Sequence, residues 1–281
     1  VALLLVLWGM LALSLVAAGF IRQARTETRL AANLVENARA EALADAGVAQ
    51  AMLALLAADP AAAWRADGRS HALELADGTV RIALQDEAGK VDLNRAGEPL
   101  HEALFRDVGG APPAAAAALA AAVADFRDRD GLRRPGGAED ADYLAAGRPF
   151  AAKDAPFATV DELLQVTGMS RALLDRIEPY LTVWSPRRDL NPATAPAALL
   201  AILPNLDAAG RSALLAARAG ATAPAAALGA STVTVLAAAT TRGGGSFIRE
   251  AVLRRGSNPL RPWEVLSWRR RWPAEQEGTG R

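Results

Sequence analysis

Val1-Ala-Leu-Leu-Leu-Val-Leu-Trp-Gly-Met-Leu-Ala-Leu-Ser-Leu-Val-Ala-Ala-Gly-Phe-Ile21 carries no charged side chain, and the first charge is Arg22. At 1.5 Å of rise per residue, a helix of about 20 apolar residues crosses the roughly 30 Å hydrocarbon core of a bilayer. Buried core helices usually run to about half that length. Residues 1–21 are therefore read as a membrane span, with Val1, Leu5, Trp8 and Phe20 among its anchor residues. The chain opens on Val and not Met. The expectation is either a fragment or a product whose leader was removed ahead of a retained helix, since a cleaved secretory signal would have taken its apolar region with it.

The helical pattern continues beyond the span. Residues 22–59, RQARTETRLAANLVENARAEALADAGVAQAMLALLAAD, contain no proline and one glycine, Gly47. Ala, Leu, Glu, Arg and Gln dominate, and these are strong helix formers. Leu30, Leu34 and Ala38, then Val48, Met52, Leu55 and Leu56, recur at the spacing of an apolar stripe. Residues 22–58 are expected to form an amphipathic stem, with Leu30, Leu34 and Ala38 as a docking face for a partner helix. Two readings stand here, one continuous helix or two helices broken near Gly47.

From Gly78 the period changes to two. Val80, Ile82 and Leu84 share one face of Thr79–Gln85, which is the pattern of a strand. Comparable runs are Ser231–Ala238, Phe247–Arg254 after the Gly243-Gly244-Gly245 turn, and Trp263–Arg269. Together they predict a small antiparallel sheet made by residues 59–94 and 231–272. Between its halves lies an Ala- and Leu-rich stretch, residues 95–230, with helix starts near Asp161 and Thr194 and stops at Gly109-Gly110 and Gly168. This is an inserted all-α domain. The fold class is α+β, and residues 273–281 are expected to be a disordered tail.

Lys plus Arg equals Asp plus Glu, 31 each, so no global field draws in nucleic acid, and none is expected as a partner. The chain has no cysteine, which excludes disulfides and thiolate metal sites. No enzyme signature is present. His71 and His101 adjoin no Ser or Cys nucleophile pattern and are expected at the surface. Arg269-Arg-Arg271 between Trp268 and Trp272 is read as an exposed strand end.

The order of these parts resembles pseudopilins, and the helical insertion resembles protein K of type II secretion systems. The phrases that carry it are Val1-Ala-Leu-Leu-Leu-Val-Leu-Trp8, Asn33-Leu-Val-Glu-Asn-Ala-Arg-Ala-Glu-Ala42, Asp86-Glu-Ala-Gly-Lys-Val-Asp-Leu-Asn94, Gly137-Ala-Glu-Asp-Ala-Asp-Tyr143 and Pro156-Phe-Ala-Thr-Val-Asp-Glu-Leu-Leu164. The resemblance implies a minor pseudopilin capping the fibre tip with partners I and J. It implies processing by a prepilin peptidase, which would make Val1 the mature first residue. It also implies a single-pass protein of the bacterial inner membrane with its globular part in the periplasm. Arg22 and Arg25 run against the positive-inside rule in that orientation. Most pseudopilins carry Glu at position five, where this chain has Leu5. A carboxylate at membrane depth costs about 2.5–3.5 kcal/mol, so Leu5 suits a subunit with no neighbour above it.

Two features of the insertion bear on chemistry. Protein K relatives hold calcium in this region, and the resemblance carries that ligand set onto Asp128, Asp130, Glu139, Asp140 and Asp142. Calcium takes about six to eight oxygen ligands. The other reading is a solvated acidic loop paired with Arg127, Arg129, Arg133 and Arg134. Leu93-Asn94, the segment around Val166-Thr-Gly168 and Leu190-Asn191 with Leu203–Leu206 look like helix-hairpin-helix units, which in other proteins grip DNA phosphates. That leaves a membrane-anchored DNA receptor as the alternative function. Asp207 at the third hairpin would repel a phosphate, and packing is the favoured use.

Overall fold

The computed structural model describes residues 2–59, 62–203, 206–220 and 231–272. Val1 and the segment 273–281 therefore lie outside the described residues, as do the side chains of Leu5 and Ile21.

Helix α1 spans Ala2–Ala54 without interruption, about 80 Å at 1.5 Å per residue. It ends four residues before the expected Ala58 and does not break at Gly47. The glycine permits close approach instead. A Cβ there would stand 2.7 Å from Val80 Cγ1 and 3.3 Å from Ala237 Cβ, so the helix touches the sheet at this point. Overpacking by a larger side chain typically costs about 1–3 kcal/mol, and Leu recovers about 0.8 kcal/mol of helix propensity relative to Gly. Gly47→Leu is accordingly expected to destabilise the detergent-solubilised chain by about 1–2 kcal/mol. Urea unfolding measures it, and an unchanged midpoint would show that the helix can lift away.

The sheet has five strands, β1 (Asp67–Leu75), β2 (Gly78–Asp86), β5 (Thr232–Thr241), β6 (Ser246–Arg255) and β7 (Trp263–Arg271), in the order β1-β2-β5-β6-β7 and antiparallel throughout. Four were expected, and β1 was not. It lies at the sheet edge, is largely exposed and reads DGRSHALEL, so burial imposes little alternation on it. The chain turns into β2 through Ala76-Asp77, with Leu75 paired to Gly78.

One face of the sheet packs on the last third of α1. Ala40, Ala44, Val48, Ala51 and Leu55 bury against Val80, Ile82, Val235 and Leu253. The Gly243–Gly245 turn closes on α1 as well, because a Cβ at Gly245 would stand 2.4 Å from the Glu36 carbonyl oxygen. There the Thr241 hydroxyl donates to Glu36 Oε2 at 2.5 Å, and that bond holds the Glu36 carboxyl below its usual range.

Between β2 and β5 the chain makes the helical unit. It comprises α2 (Glu98–Ala103), continued by a π turn to Val108, α3 (Pro113–Arg127), α4 (Asp140–Ala145), α5 (Arg171–Ile177), α6 (Ala197–Leu200) and α7 (Ala208–Gly220). It has its own core, with Leu104, Phe105, Leu119, Phe126, Tyr143 and Leu163 fully or nearly fully buried. Val91 and Leu93, ahead of the expected boundary at residue 95, pack in that core. A short parallel pair, β3 (Val91–Asp92) with β4 (Leu181–Thr182), lies within it and had no sequence signal.

A carboxylate site in the helical unit

The alanine-rich α3 ends at Asp128, whose extended backbone starts a loop that returns to α4. Asp125, on the last turn of α3, is wholly buried. It accepts from Arg134 Nη1 at 2.7 Å, and the same guanidinium bonds Asp128 Oδ2 and, through Nε, Glu98 Oε1 at 2.9 Å. Gly137 lies against this pair, and a Cβ there would come within 2.0 Å of Asp125 Oδ2. The loop thus folds around one arginine.

Beyond Arg134 the carboxylates face one another. Oxygens of Asp128, Asp130 and Glu139 lie within 4.8 Å of one another, and so do those of Glu139, Asp140 and Asp154. Glu139 belongs to both groups. Asp128 Oδ1 and Glu139 Oε1 are buried and have no hydrogen-bond partner among the described residues. Burial, followed by the charges of Asp125, Asp128, Asp154 and Asp140, raises the Glu139 carboxyl to about 7. Orphaned buried oxygens in an all-carboxylate setting match a hard cation that takes oxygen ligands, so the residues present fit calcium.

Of the five expected ligands, Asp128, Asp130 and Glu139 form one group and Asp140 joins Glu139 in a second. Asp142 joins neither. Its carboxylate accepts the Glu139 amide at 2.9 Å at the start of α4 and pairs with Arg133 Nη1 at 3.0 Å. Asp154 was missed, because its approach depends on the path of the chain. The amides of Lys153 and Asp154 both donate to the Phe126 carbonyl, and Asp154 adopts φ 52°. Of the four arginines expected to neutralise the loop, Arg127 turns away to the carbonyl oxygens of Leu93 and Ala96.

The helix-hairpin-helix-like segments each contribute a buried residue, Leu93, Val166 and Leu190, to the helical core. The Asn94 amide group holds the Phe157 backbone at both ends, at 2.7 and 2.9 Å. Leu93 and Leu190 are buried in one core. Gly168, at φ 90°, precedes Ser170, which caps the seven-residue α5. At the third hairpin Pro204 and Asn205 lie outside the described residues, and Asp207 Oδ1 already accepts the Gly210 amide at 2.7 Å. The expectation for the histidines is corrected. His101 is buried, its Nε2 has no partner among the described residues, and burial with the nearby Arg127 charge lowers it to about 3. His71 is half-buried and stacks on Trp64 with ring centroids 4.0 Å apart.

Residues 81–186 match the family model "Type II secretion system (T2SS), protein K", a stretch that contains every carboxylate of the site. That stretch is similar to protein K of type II secretion systems. No curated protein matches it. Among solved structures, a chain of the GspK-GspI-GspJ complex of the enterotoxigenic Escherichia coli type 2 secretion system shares the fold, with a TM-score of 0.57 and 19% identity. The alignment covers 89% of this chain and 100% of that one.

The remaining expected site residues lie on α1. It is long and apolar enough to cross a membrane, with Trp8 and Phe20 exposed along it. Leu30, Leu34 and Ala38 are exposed too, Leu34 at 70%, on a part of the helix beyond the apolar run.

Proposed function

We propose that this protein is a minor pseudopilin that caps the tip of a type II secretion pseudopilus. Its apolar helix holds it in the bacterial inner membrane as a single-pass protein with the head in the periplasm, after processing by a prepilin peptidase. The stem then docks against minor pseudopilins I and J of the same system, which starts fibre assembly and supports export across the outer membrane. Calcium held by Asp128, Asp130, Glu139, Asp140 and Asp154 braces the helical unit and takes no part in catalysis. The role is assembly, not turnover.

One observation carries this reading. The same helix that buries Ala40, Ala44 and Val48 against its own sheet leaves Leu30, Leu34 and Val35 exposed below the head. Apolar side chains at helical spacing outside a membrane mark a face that wants a partner. A buried charge would disrupt such a face without touching either core. Leu34→Glu is therefore expected to abolish co-purification with the two partner pseudopilins while leaving the head folded, as read by its thermal unfolding. Undiminished co-purification would show that the stem does not dock there.

A further inference from the structure

Strand β7 is the edge of the sheet opposite β1 and lies beside α1, which runs over β5, β6 and β2. Its α1-side face presents Val265, Trp268, Arg270 and Trp272, set by their pairing with Leu253, Ala251 and Arg249. Three of these are apolar and well exposed, Trp272 at 68%. Arginines are threaded between the rings. Arg270 lies 3.9 Å from the Trp272 centroid and 4.8 Å from that of Phe247, and Arg249 lies 4.7 Å from Phe247 and 5.2 Å from Trp268.

The two arginines differ in one respect. Arg249 is neutralised by Asp45 and Glu41, each at 2.6 Å. Arg270 has no carboxylate among the described residues. Residues 254–272 carry six arginines against one glutamate in a chain of zero formal net charge, and Arg254, Arg269 and Arg271 are paired with Glu264, Glu250 and Glu178. An edge protected only by charge needs no tryptophans. Tryptophan and arginine held in register on one face are the side chains that dominate binding surfaces.

The ledge continues the stem face. Leu34, Glu41, Asp45 and Met52 follow at spacings of seven, four and seven residues, which is one side of a helix. Glu41 and Asp45 hold Arg249, and the Met52 carbonyl accepts from Trp263 Nε1 at 3.2 Å. That side of α1 therefore faces β7. Packed helices lie about 8–10 Å apart, which is two strand spacings of about 4.8 Å. A second helix laid along Leu30 and Leu34 would run over β7 next. Glu41 stands about 30 Å along the helix from Ile21, well beyond a Debye length of about 8 Å, which favours a protein over a lipid surface.

We propose that the α1–β7 ledge seats the stem helix of a second pseudopilin, with an acidic side chain of that helix over Arg270 between Trp268 and Trp272. This rests on the stem-docking reading and extends it to the head. The test is co-expression of the full chain with partners I and J, followed by capture. Arg270→Glu and Trp272→Ala should each lower capture at least tenfold with thermal unfolding unchanged. Because the chain has no cysteine, Arg270→Cys can also be crosslinked to single cysteines placed along the partner stems. Crosslinks recurring every three to four positions support the seated helix. Recurrence every second position would replace it with an added strand, and no crosslink at any position would overturn it. Capture lost with Leu34→Glu but intact with Arg270→Glu and Trp272→Ala refutes the ledge alone. Capture intact with Leu34→Glu refutes the stem reading itself.

Discussion

Replacing Glu87 with Ala is expected to lower the stability of the detergent-solubilised protein by about 3–5 kcal/mol, the range for removing one partner of a buried ion pair. Glu87 lies in the short turn Glu87–Gly89 that leads from β2 into the helical unit, and it is 1% exposed. Its Oε1 accepts from Lys90 Nζ at 2.7 Å and from the Thr234 hydroxyl of β5 at 2.6 Å, while Oε2 accepts from the Thr182 hydroxyl of β4. One carboxylate thus joins the sheet, the crossing and the insertion. Beside it, buried Asp86 accepts the Ala88 amide at 3.0 Å and the Thr194 hydroxyl at 2.9 Å. Glu87→Gln keeps the shape and loses the charge, so it should lose less. Urea unfolding of both variants checks the claim, and a loss below about 1 kcal/mol for Ala, within the range of an ordinary hydrogen bond, would mean that the lysine and the two hydroxyls find solvent instead.

Calcium is expected to raise the stability of the helical unit by about 2.7 kcal/mol at one hundred times its Kd, seen as a shift of several degrees in melting temperature. Asp128→Ala, Glu139→Ala and Asp154→Ala should each remove most of that gain. Asp142→Asn should keep most of it, because that side chain serves Arg133 and the start of α4. The pH dependence follows from the raised Glu139 carboxyl. A folded state that holds this proton up to about 7 binds more protons than the unfolded chain above the ordinary glutamate range near 4.3. Without calcium, stability from this group therefore falls as pH rises from about 4.5 to 7. Calcium competes with the proton, so its gain should grow over the same interval. A melting temperature indifferent to calcium and chelator at pH 7.5 would leave the loop as an arginine-neutralised acidic surface.

Much of this fold was written in local patterns. The charge-free run to Ile21 and the Leu30–Leu34–Ala38 spacing gave α1, and the alternation of Val80, Ile82 and Leu84 gave β2, because burial on one face imposes a period. Where burial is slight, as on β1, no period was imposed. The two-residue strands β3 and β4 are too short to show a pattern. Glu139, Asp140, Asp128 and Asp130 stand close in sequence, so their clustering could be read directly. Asp154 reaches them only because the Phe126 carbonyl draws the Lys153 and Asp154 amides back across the loop. Glu87 reaches Thr182 and Thr234 over still longer separations, which no spacing rule covers.

The insertion leaves β2 after Asp86, and the chain enters β5 at Thr232, with Asp86 paired to Val233. Both attachment points thus lie at one end of two neighbouring strands. If the chain caps a fibre as proposed, force on the insertion would reach the sheet at this rung. Pulled apart there, two antiparallel strands open like a zipper, one bond pair at a time, and do not share tension as they would in shear. The bond from Thr234 to Glu87 spans the first rung, because Thr234 pairs with Gln85 on the second, and it would have to part as the zipper opens.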